Sequence, residues 1–161
     1  MPRAHPVLDD TSAFLAMLTQ RAPEAIVRNR VDAWVDTWSS DACAKDMEAL
    51  RPLMGEGNLN MMSDFGSDIA VSNSFETYQD VWMPVLRETF SSWQLGLASD
   101  VDIRASEGLA SAAYFTLFEG ETHEGTSMVQ RQAVSAVWEI QSGEWRLVQE
   151  HTSVDSEGRM A

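Results

Sequence analysis

The chain has 161 residues, enough for one domain, and its 44% hydrophobic content supports a buried core. The 11 basic and 25 acidic side chains give a net charge of −14, which repels phosphate backbones and anionic membrane surfaces. Neither nucleic acid nor a membrane is therefore expected as a partner, and the single cysteine with no long apolar run favours a soluble, cytoplasmic protein.

The first part of the chain carries a helical pattern. Residues 1–22 are expected to form a leader with a short helix, capped by Asp10 or Thr11. Pro23 then begins a second, stronger helix of about five turns. Its apolar positions recur at helical spacing and predict one buried face, formed by Val27, Val31, Trp34, Val35 and Trp38.

Two more helices and an extended segment are predicted next. Ser40 or Asp41 caps the third helix, and an extended piece follows at residues 59–65. After a loop, a fourth helix begins at Ser74 and continues to about Trp93. Its predicted buried side consists of Tyr78, Val81, Trp82, Val85, Leu86 and Phe90.

The last third of the chain changes from helical to alternating periodicity. Glycine-containing turn signals separate four predicted strands, at residues 95–105, 109–119, 126–140 and 144–153. Helices followed by an antiparallel meander predict an α+β domain over residues 23–154, with a flexible tail at 155–161. A curved sheet wrapped around a long helix leaves a cavity between the two.

The closing stretch AVSAVWEIQSGEWRLVQEHTS, together with Asp64 and the helix around YQDVWMPVLRETF, resembles the SnoaL-like branch of the nuclear transport factor 2-like superfamily. The last two strands of that branch commonly read Thr/Ser-x-Val-Trp, a glycine turn and Trp-Arg-Ile-Val-His-x-His-x-Ser. The matching residues are Ser135, Val137, Trp138, Gly143, Trp145, Arg146, Leu147, Val148, His151 and Ser153, with Gln149 replacing the first histidine. The resemblance covers about residues 24–153 and implies a cone-shaped, cystatin-like fold, in which a curved antiparallel sheet wraps around N-terminal helices.

The final strand brings a glutamate, a histidine and a serine within four positions, which invites a catalytic interpretation. Because successive side chains of a strand point to opposite faces, Glu150 and Thr152 share one face, and His151 and Ser153 share the other. By the same alternation, the face of His151 also carries Trp145, Leu147 and Gln149. Two residues spaced i and i+2 along a strand lie too far apart for a Ser-His catalytic pair, which is therefore disfavoured.

The calcium/calmodulin-dependent kinase association domains, which the C-terminal half resembles, line their cavity with the face that here holds Glu150. The resemblance therefore implies a ligand-binding cavity formed by Trp82, Tyr114, Thr116, Phe118, Ala136, Trp138, Glu150 and Thr152. The kinase domains carry arginines at the positions of Thr116, Ala136 and Thr152, none of which is basic here. A neutral or cationic, mostly apolar small molecule is therefore the expected ligand. The opposite face, with His151, is implied to join two copies in a homodimer.

Asp64 is the candidate catalytic residue. Ketosteroid isomerases of the same superfamily use an aspartate at the end of the first strand as general base, in an Asp-Pro-Val-Gly context that Ser63-Asp64-Phe65-Gly66 resembles. A carboxyl group held against an apolar cavity is suited to proton transfer. The alternative is a turn aspartate that binds its own loop. Ala33 and Trp34 stand where the isomerases have a tyrosine, which argues against steroid isomerase activity.

Two functions remain open, because this fold supports many unrelated activities. One is a cofactor-free isomerase or lyase with Asp64 as base, and the other is a non-catalytic ligand-binding or oligomerisation domain. No cofactor and no metal are expected. The stretch GETHEGT holds His123 between two glutamates, but a solvated hairpin loop is favoured there, since no second cluster with ligand spacing accompanies it.

Overall fold

The computed structural model describes residues 10–154, with side chains from residue 23 onward. The helices are α1 (Asp10–Trp38), α2 (Asp41–Asp46), a short 3-10 helix (Glu48–Leu53) and α3 (Phe75–Thr89). The strands are β1 (Asn60–Asp64), β2 (Ile69–Ser72), β3 (Phe90–Leu97), β4 (Asp102–Ala105), β5 (Leu109–Thr122), β6 (Ser127–Gln141) and β7 (Glu144–Val154). The first nine residues of the predicted leader and the predicted tail at 155–161 lie outside the described residues.

Helix α1 continues through Pro23, where the sequence predicted a new helix to begin. Proline removes one backbone donor and crowds the preceding turn, so a long helix can bend at proline without ending there. The predicted apolar stripe is confirmed, since Val27, Val31, Trp34, Val35 and Trp38 are all buried. Through this stripe α1 packs against the inner face of the sheet. In residues 10–154, no helix is both long and apolar enough to cross a membrane.

The third predicted helix is divided into two short ones. The Ser40 side chain accepts a hydrogen bond from the Cys43 N–H at 3.0 Å, which caps α2 as predicted. Met47 then adopts a left-handed conformation, with φ of 62°, and this residue ends α2 before the 3-10 helix begins. At α3, Ser74 and Thr77 form a capping box that confirms the predicted start.

The seven strands form one mixed sheet in the order β2-β1-β7-β6-β5-β3, with β4 also paired to β5. β1 runs parallel to β7, and the other pairings are antiparallel. The α+β class and the antiparallel meander of the last strands are confirmed, and β1 adds a parallel pairing that the sequence did not predict. Hairpins fix the direction of neighbouring strands, but residues 65–143 separate β1 from β7, so no turn sets their relative direction.

Two strand predictions near β5 are also corrected. The strand predicted at 95–105 is two strands, β3 and β4, and the long β5 pairs with both of them along one edge. β3 begins at Phe90 and thereby ends α3 four residues earlier than Trp93. The predicted loop after Asp64 contains β2, which pairs with β1. These elements are short, so their periodicity is too brief to be recognised in the sequence.

A β-bulge in β7 decides which of its side chains face inward. Val137 pairs with Gln149, whereas the next residue of β6, Trp138, pairs with Leu147, so Val148 is the extra residue. The alternation changes phase there, and the buried side chains of β7 are Trp145, Leu147, Val148, Glu150 and Thr152. The prediction that Trp145 and Leu147 share the exposed face is therefore wrong.

Candidate functional site

A cavity lies between α1, α3 and the concave face of the sheet. The helices contribute Trp34, Val35, Trp38, Tyr78 and Trp82. The strands contribute Leu95, Tyr114, Thr116, Phe118, Gln132, Val134, Glu150 and Thr152. The cavity is narrow, with a volume of about 30 Å³. A ligand larger than a few water molecules therefore requires the lining side chains to move apart.

Glu150 is the only carboxyl group among the described side chains that line the cavity, and it is only 6% exposed. It follows the bulge in β7, and its sheet neighbours are Ala136 on β6 and Met61 on β1. Burial raises the pKa of Glu150 to about 7, although the Thr152 hydroxyl and the Trp34 indole partly offset this effect. The group therefore exchanges its proton near neutral pH.

Two tyrosines stand near this carboxyl group. Burial, and secondly the charge of Glu150, raise the pKa of both Tyr78 and Tyr114 well above the usual range, so both phenols stay protonated. The Tyr114 hydroxyl has no hydrogen-bond partner, and neither has the buried Nε1 of Trp82. Unpartnered buried polar atoms are uncommon in folded proteins, which makes these two atoms candidate contacts for a ligand.

The helix wall of the cavity is aromatic. Trp38 and Trp82 meet edge to face with ring centroids 5.4 Å apart, and Trp34 lies 6.2 Å from Tyr78. Phe65 extends the cluster toward β1, with its ring 5.2 Å from Trp82. The sheet wall is more polar, since the buried Thr116 hydroxyl donates a hydrogen bond of 3.0 Å to the Gln132 side-chain oxygen. A ligand thus meets aromatic rings on one side and polar groups on the other.

Six of the predicted ligand-binding residues line this cavity: Trp82, Tyr114, Thr116, Phe118, Glu150 and Thr152. Ala136 and Trp138 are buried, but neither belongs to the lining, and Trp138 is 0% exposed. Whether any of these residues binds a ligand stays a prediction. The sequence assigned Trp34 and Trp38 to the core, although a helix stripe that faces a concave sheet also forms the cavity wall.

Asp64, the predicted base, does not line the cavity. It is the last residue of β1, whose buried side chains are Met61 and Ser63. Its Oδ1 atom accepts a hydrogen bond of 2.8 Å from the Gly66 N–H, as a turn aspartate does. The alternation along β1 therefore brings Ser63, rather than Asp64, to the inner face.

The two histidines of the described chain lie away from the cavity. His123 contacts the backbone oxygen of Arg87 through its Nε2 atom at 2.7 Å, which ties the β5–β6 turn to the end of α3. His151 is exposed on the outer face of the sheet. Among residues 23–154, no group of three or more histidine, cysteine, aspartate or glutamate side chains is placed to hold a metal ion.

A second, wider cleft of about 450 Å³ lies between the 3-10 helix and α3. Arg51 borders it, but this guanidinium already contacts Glu48 and Glu76, each at 2.8 Å. Arg146, also at the cleft, contacts Glu144 at 2.9 Å. The positive charges are thus paired within the protein, and the cavity around Glu150 is the better candidate site.

A family model described as a SnoaL-like domain matches residues 31–156. No curated protein matches the sequence. Among solved structures, a nuclear transport factor 2-like superfamily protein from Salmonella enterica has a TM-score of 0.67 at 16% identity, covering 81% of this chain and 89% of that one.

Two further structures share the fold at low identity. A hexachlorocyclohexane dehydrochlorinase, LinA-type3 from Novosphingobium barchaimii, has a TM-score of 0.67 at 11% identity, covering 86% of this chain and 90% of that one. The association domain of CaMKII from C. elegans has a TM-score of 0.57 at 16% identity, covering 84% and 98%. At such identities the likeness shows the fold alone.

Proposed function

The chain belongs to the family of SnoaL-like domains, and from this premise we propose that its central cavity binds a small, mostly apolar molecule on which Glu150 performs cofactor-free proton transfer. The observation that carries the proposal is the burial of one carboxyl group in a largely aromatic cavity. A general base works best when its pKa lies near the operating pH, and the pKa of Glu150 is about 7. Isomerase or lyase chemistry is the class that such a group serves without a cofactor.

Tyr114 supports this proposal as a hydrogen-bond donor. When a base removes a proton next to a carbonyl group, negative charge develops on the carbonyl oxygen, and a nearby donor stabilises it. The Tyr114 hydroxyl is protonated, buried and without a partner, and it borders the same cavity as Glu150. The fold also occurs in a dehydrochlorinase that acts on hexachlorocyclohexane, a small apolar compound.

Asp64 is kept as the second candidate base. It does not line the cavity, but the next residue, Phe65, contacts the cavity residue Trp82. If Glu150 is the base, its substitution abolishes proton transfer. If Asp64 is the base, the substitution of Asp64 does so instead.

The test is hydrogen–deuterium exchange at the α-carbon of cyclopentanone in D₂O, followed by NMR in the presence of the protein. The Glu150→Gln variant is expected to lower the catalysed exchange rate at least about 100-fold, the usual contribution of a general base. The Asp64→Asn variant is expected to leave the rate within about threefold of wild type. The reverse pattern rejects Glu150 and assigns the base to Asp64.

The alternative function is a non-catalytic ligand-binding or oligomerisation domain, and the fold of the CaMKII association domain favours it. Binding of cyclopentanone without any catalysed exchange supports this alternative. We also propose that two copies associate through the outer sheet face. Arg131 is charged and lies over the Phe115 ring at 4.0 Å, but the other central side chains of that face carry no full charge: Ser111, Ala113, Phe115, Leu117, Ala133, Ser135, Val137, Gln149, His151 and Ser153.

A further inference from the structure

The cavity holds a buried carboxyl group that no basic side chain accompanies. Of the side chains described, those that line the cavity include no arginine, lysine or histidine. The polar neighbours of Glu150 are the Thr152 hydroxyl and the Trp34 indole, both of which are neutral. A carboxylate removed from water in this way is unfavourable unless it takes up a proton or meets a cation.

The surroundings of Glu150 suit a cation better than a neutral molecule. Trp34, Trp38, Tyr78 and Trp82 form one continuous cluster of rings on the helix wall. The face of an aromatic ring carries partial negative charge and attracts organic ammonium ions, with tryptophan the strongest. The net charge of −14 also raises the local concentration of cations around the protein.

A further contact favours an ammonium group that carries hydrogens. The Tyr114 hydroxyl is buried without a partner, and its oxygen can accept a hydrogen bond from a ligand N–H. Together with the Glu150 carboxylate it offers two acceptors on the sheet side of the cavity. A protonated amine with a compact apolar substituent satisfies both acceptors and places its carbon atoms against the rings.

We propose that the ligand of this cavity is a compact, protonated organic amine, with Glu150 as its counter-charge and the helix tryptophans as its apolar and cation–π contacts. The inference rests on the proposed function, because it concerns the same cavity and narrows the class of its ligand. The only titratable groups that face Glu150 from the packed elements are Tyr78 of α3 and Tyr114 of β5, among the residues described. Both stay neutral, so any positive charge beside the carboxylate comes from the ligand.

The experiment compares three molecules of similar shape: cyclopentylamine, cyclopentanol and cyclopentanecarboxylate. NMR titration of the full chain follows the indole N–H signals, which report binding beside Trp82. The amine is expected to bind at least about tenfold more tightly than the alcohol, and the carboxylate more weakly than both. In Glu150→Gln the advantage of the amine is expected to disappear while cyclopentanol still binds, which also shows that the variant is folded.

The pH dependence gives a second measurement that needs no variant. The affinity for cyclopentylamine is expected to rise between about pH 6 and pH 8, as Glu150 loses its proton while the amine keeps its own. The affinity for cyclopentanol is expected to stay constant over the same range. A flat profile for the amine overturns the inference.

The outcomes separate this inference from the proposed function. If cyclopentanol or the carboxylate binds as tightly as the amine, the cation preference is wrong and the small-molecule cavity stands. If none of the three molecules shifts the indole signals, both the inference and the proposed function are rejected. The exposed Glu119→Gln variant is the matched control, because it removes a carboxyl group outside the cavity, and it is expected to retain the preference for the amine over the alcohol.

Discussion

Glu150 combines burial with an acidic side chain, and the structure gives two reasons for its position. The bulge at Val148 turns Glu150 inward, and the small side chain of Ala136 stands beside it on β6. Burial favours the uncharged form, so the proton binds more tightly in the folded protein than in the unfolded chain. Glu150 therefore contributes to the pH dependence of the protein's stability.

The Glu150→Gln variant tests this dependence. The pKa of Glu150 is about 7 in the folded protein and near 4.5 in the unfolded chain. Below about pH 4.5 the group is protonated in both states and wild type has its full stability, and this stability is lost progressively as the pH rises to about 7. Relative to wild type, the variant is expected to gain roughly 2 to 3 kcal/mol in free energy of unfolding between pH 5 and pH 8. Urea unfolding of both proteins at pH 5 and at pH 8 measures this gain. The exposed Glu119→Gln is the control, and an equal gain there contradicts the assignment to Glu150.

Among the elements, β3 and β5 pack closely at a glycine. Gly120 of β5 lies against the ring of Phe90, the first residue of β3, and an added Cβ atom there would come within 2.6 Å of that ring. Phe90 also packs edge to face on Phe118, with centroids 5.1 Å apart. The pairing of the two strands therefore depends on a position without a side chain.

Gly120→Ala is expected to destabilise the protein by about 1 to 3 kcal/mol, because the Phe90 ring must move out of its packed position. Gly96→Ala is the matched control, since Gly96 also lies in a strand and nothing lies within 4 Å of its Cβ position. The free energy of unfolding in urea measures both variants. Equal effects at the two glycines would show that strand propensity, and not the contact with Phe90, causes the loss.

For the whole molecule, the charge distribution is uneven. The chain carries a net charge of −14, yet most central side chains of the outer sheet face carry no full charge. Phe115 is 40% exposed on this face, and the Arg131 guanidinium lies over its ring at 4.0 Å. A face with little charge on an acidic protein suits contact with a second copy, which the overall charge opposes at low salt.

Self-association is therefore expected to strengthen when NaCl rises from about 20 mM to about 300 mM, because salt screens the repulsion between copies. Sedimentation velocity over a series of protein concentrations measures the dissociation constant. The Gln149→Glu and His151→Glu variants place charge on the face and are expected to weaken the dimer at least about tenfold. A dimer that is unaffected by both changes would place the interface elsewhere.

Long and strongly periodic segments were predictable from the sequence alone. The stripe from Val27 to Trp38 recurs at helical spacing over several turns, and all of its members are buried. The long strands β5, β6 and β7 follow an alternating pattern that local side-chain chemistry determines. The closing signature around Trp138 and Trp145 resembled the family to which the chain belongs.

The site depended on features that one segment alone does not encode. Alternation along β7 correctly separated Glu150 from His151, but it misplaced Trp145 because the bulge arises from pairing with β6. Asp64 was predicted as the base from its neighbours in the sequence. The alternation along β1 instead presents Ser63 to the inner face.

The sequence by itself determined the fold class, the buried face of α1 and the separation of Glu150 from His151 onto opposite faces, because periodicity is a local property of the chain. Only the tertiary structure decided that β1 joins β7 in parallel and that Trp34, Trp38 and Tyr78 meet Glu150 around one cavity. Those contacts join residues far apart in the chain. Their geometry depends on how all the layers pack together, and no single segment carries that information.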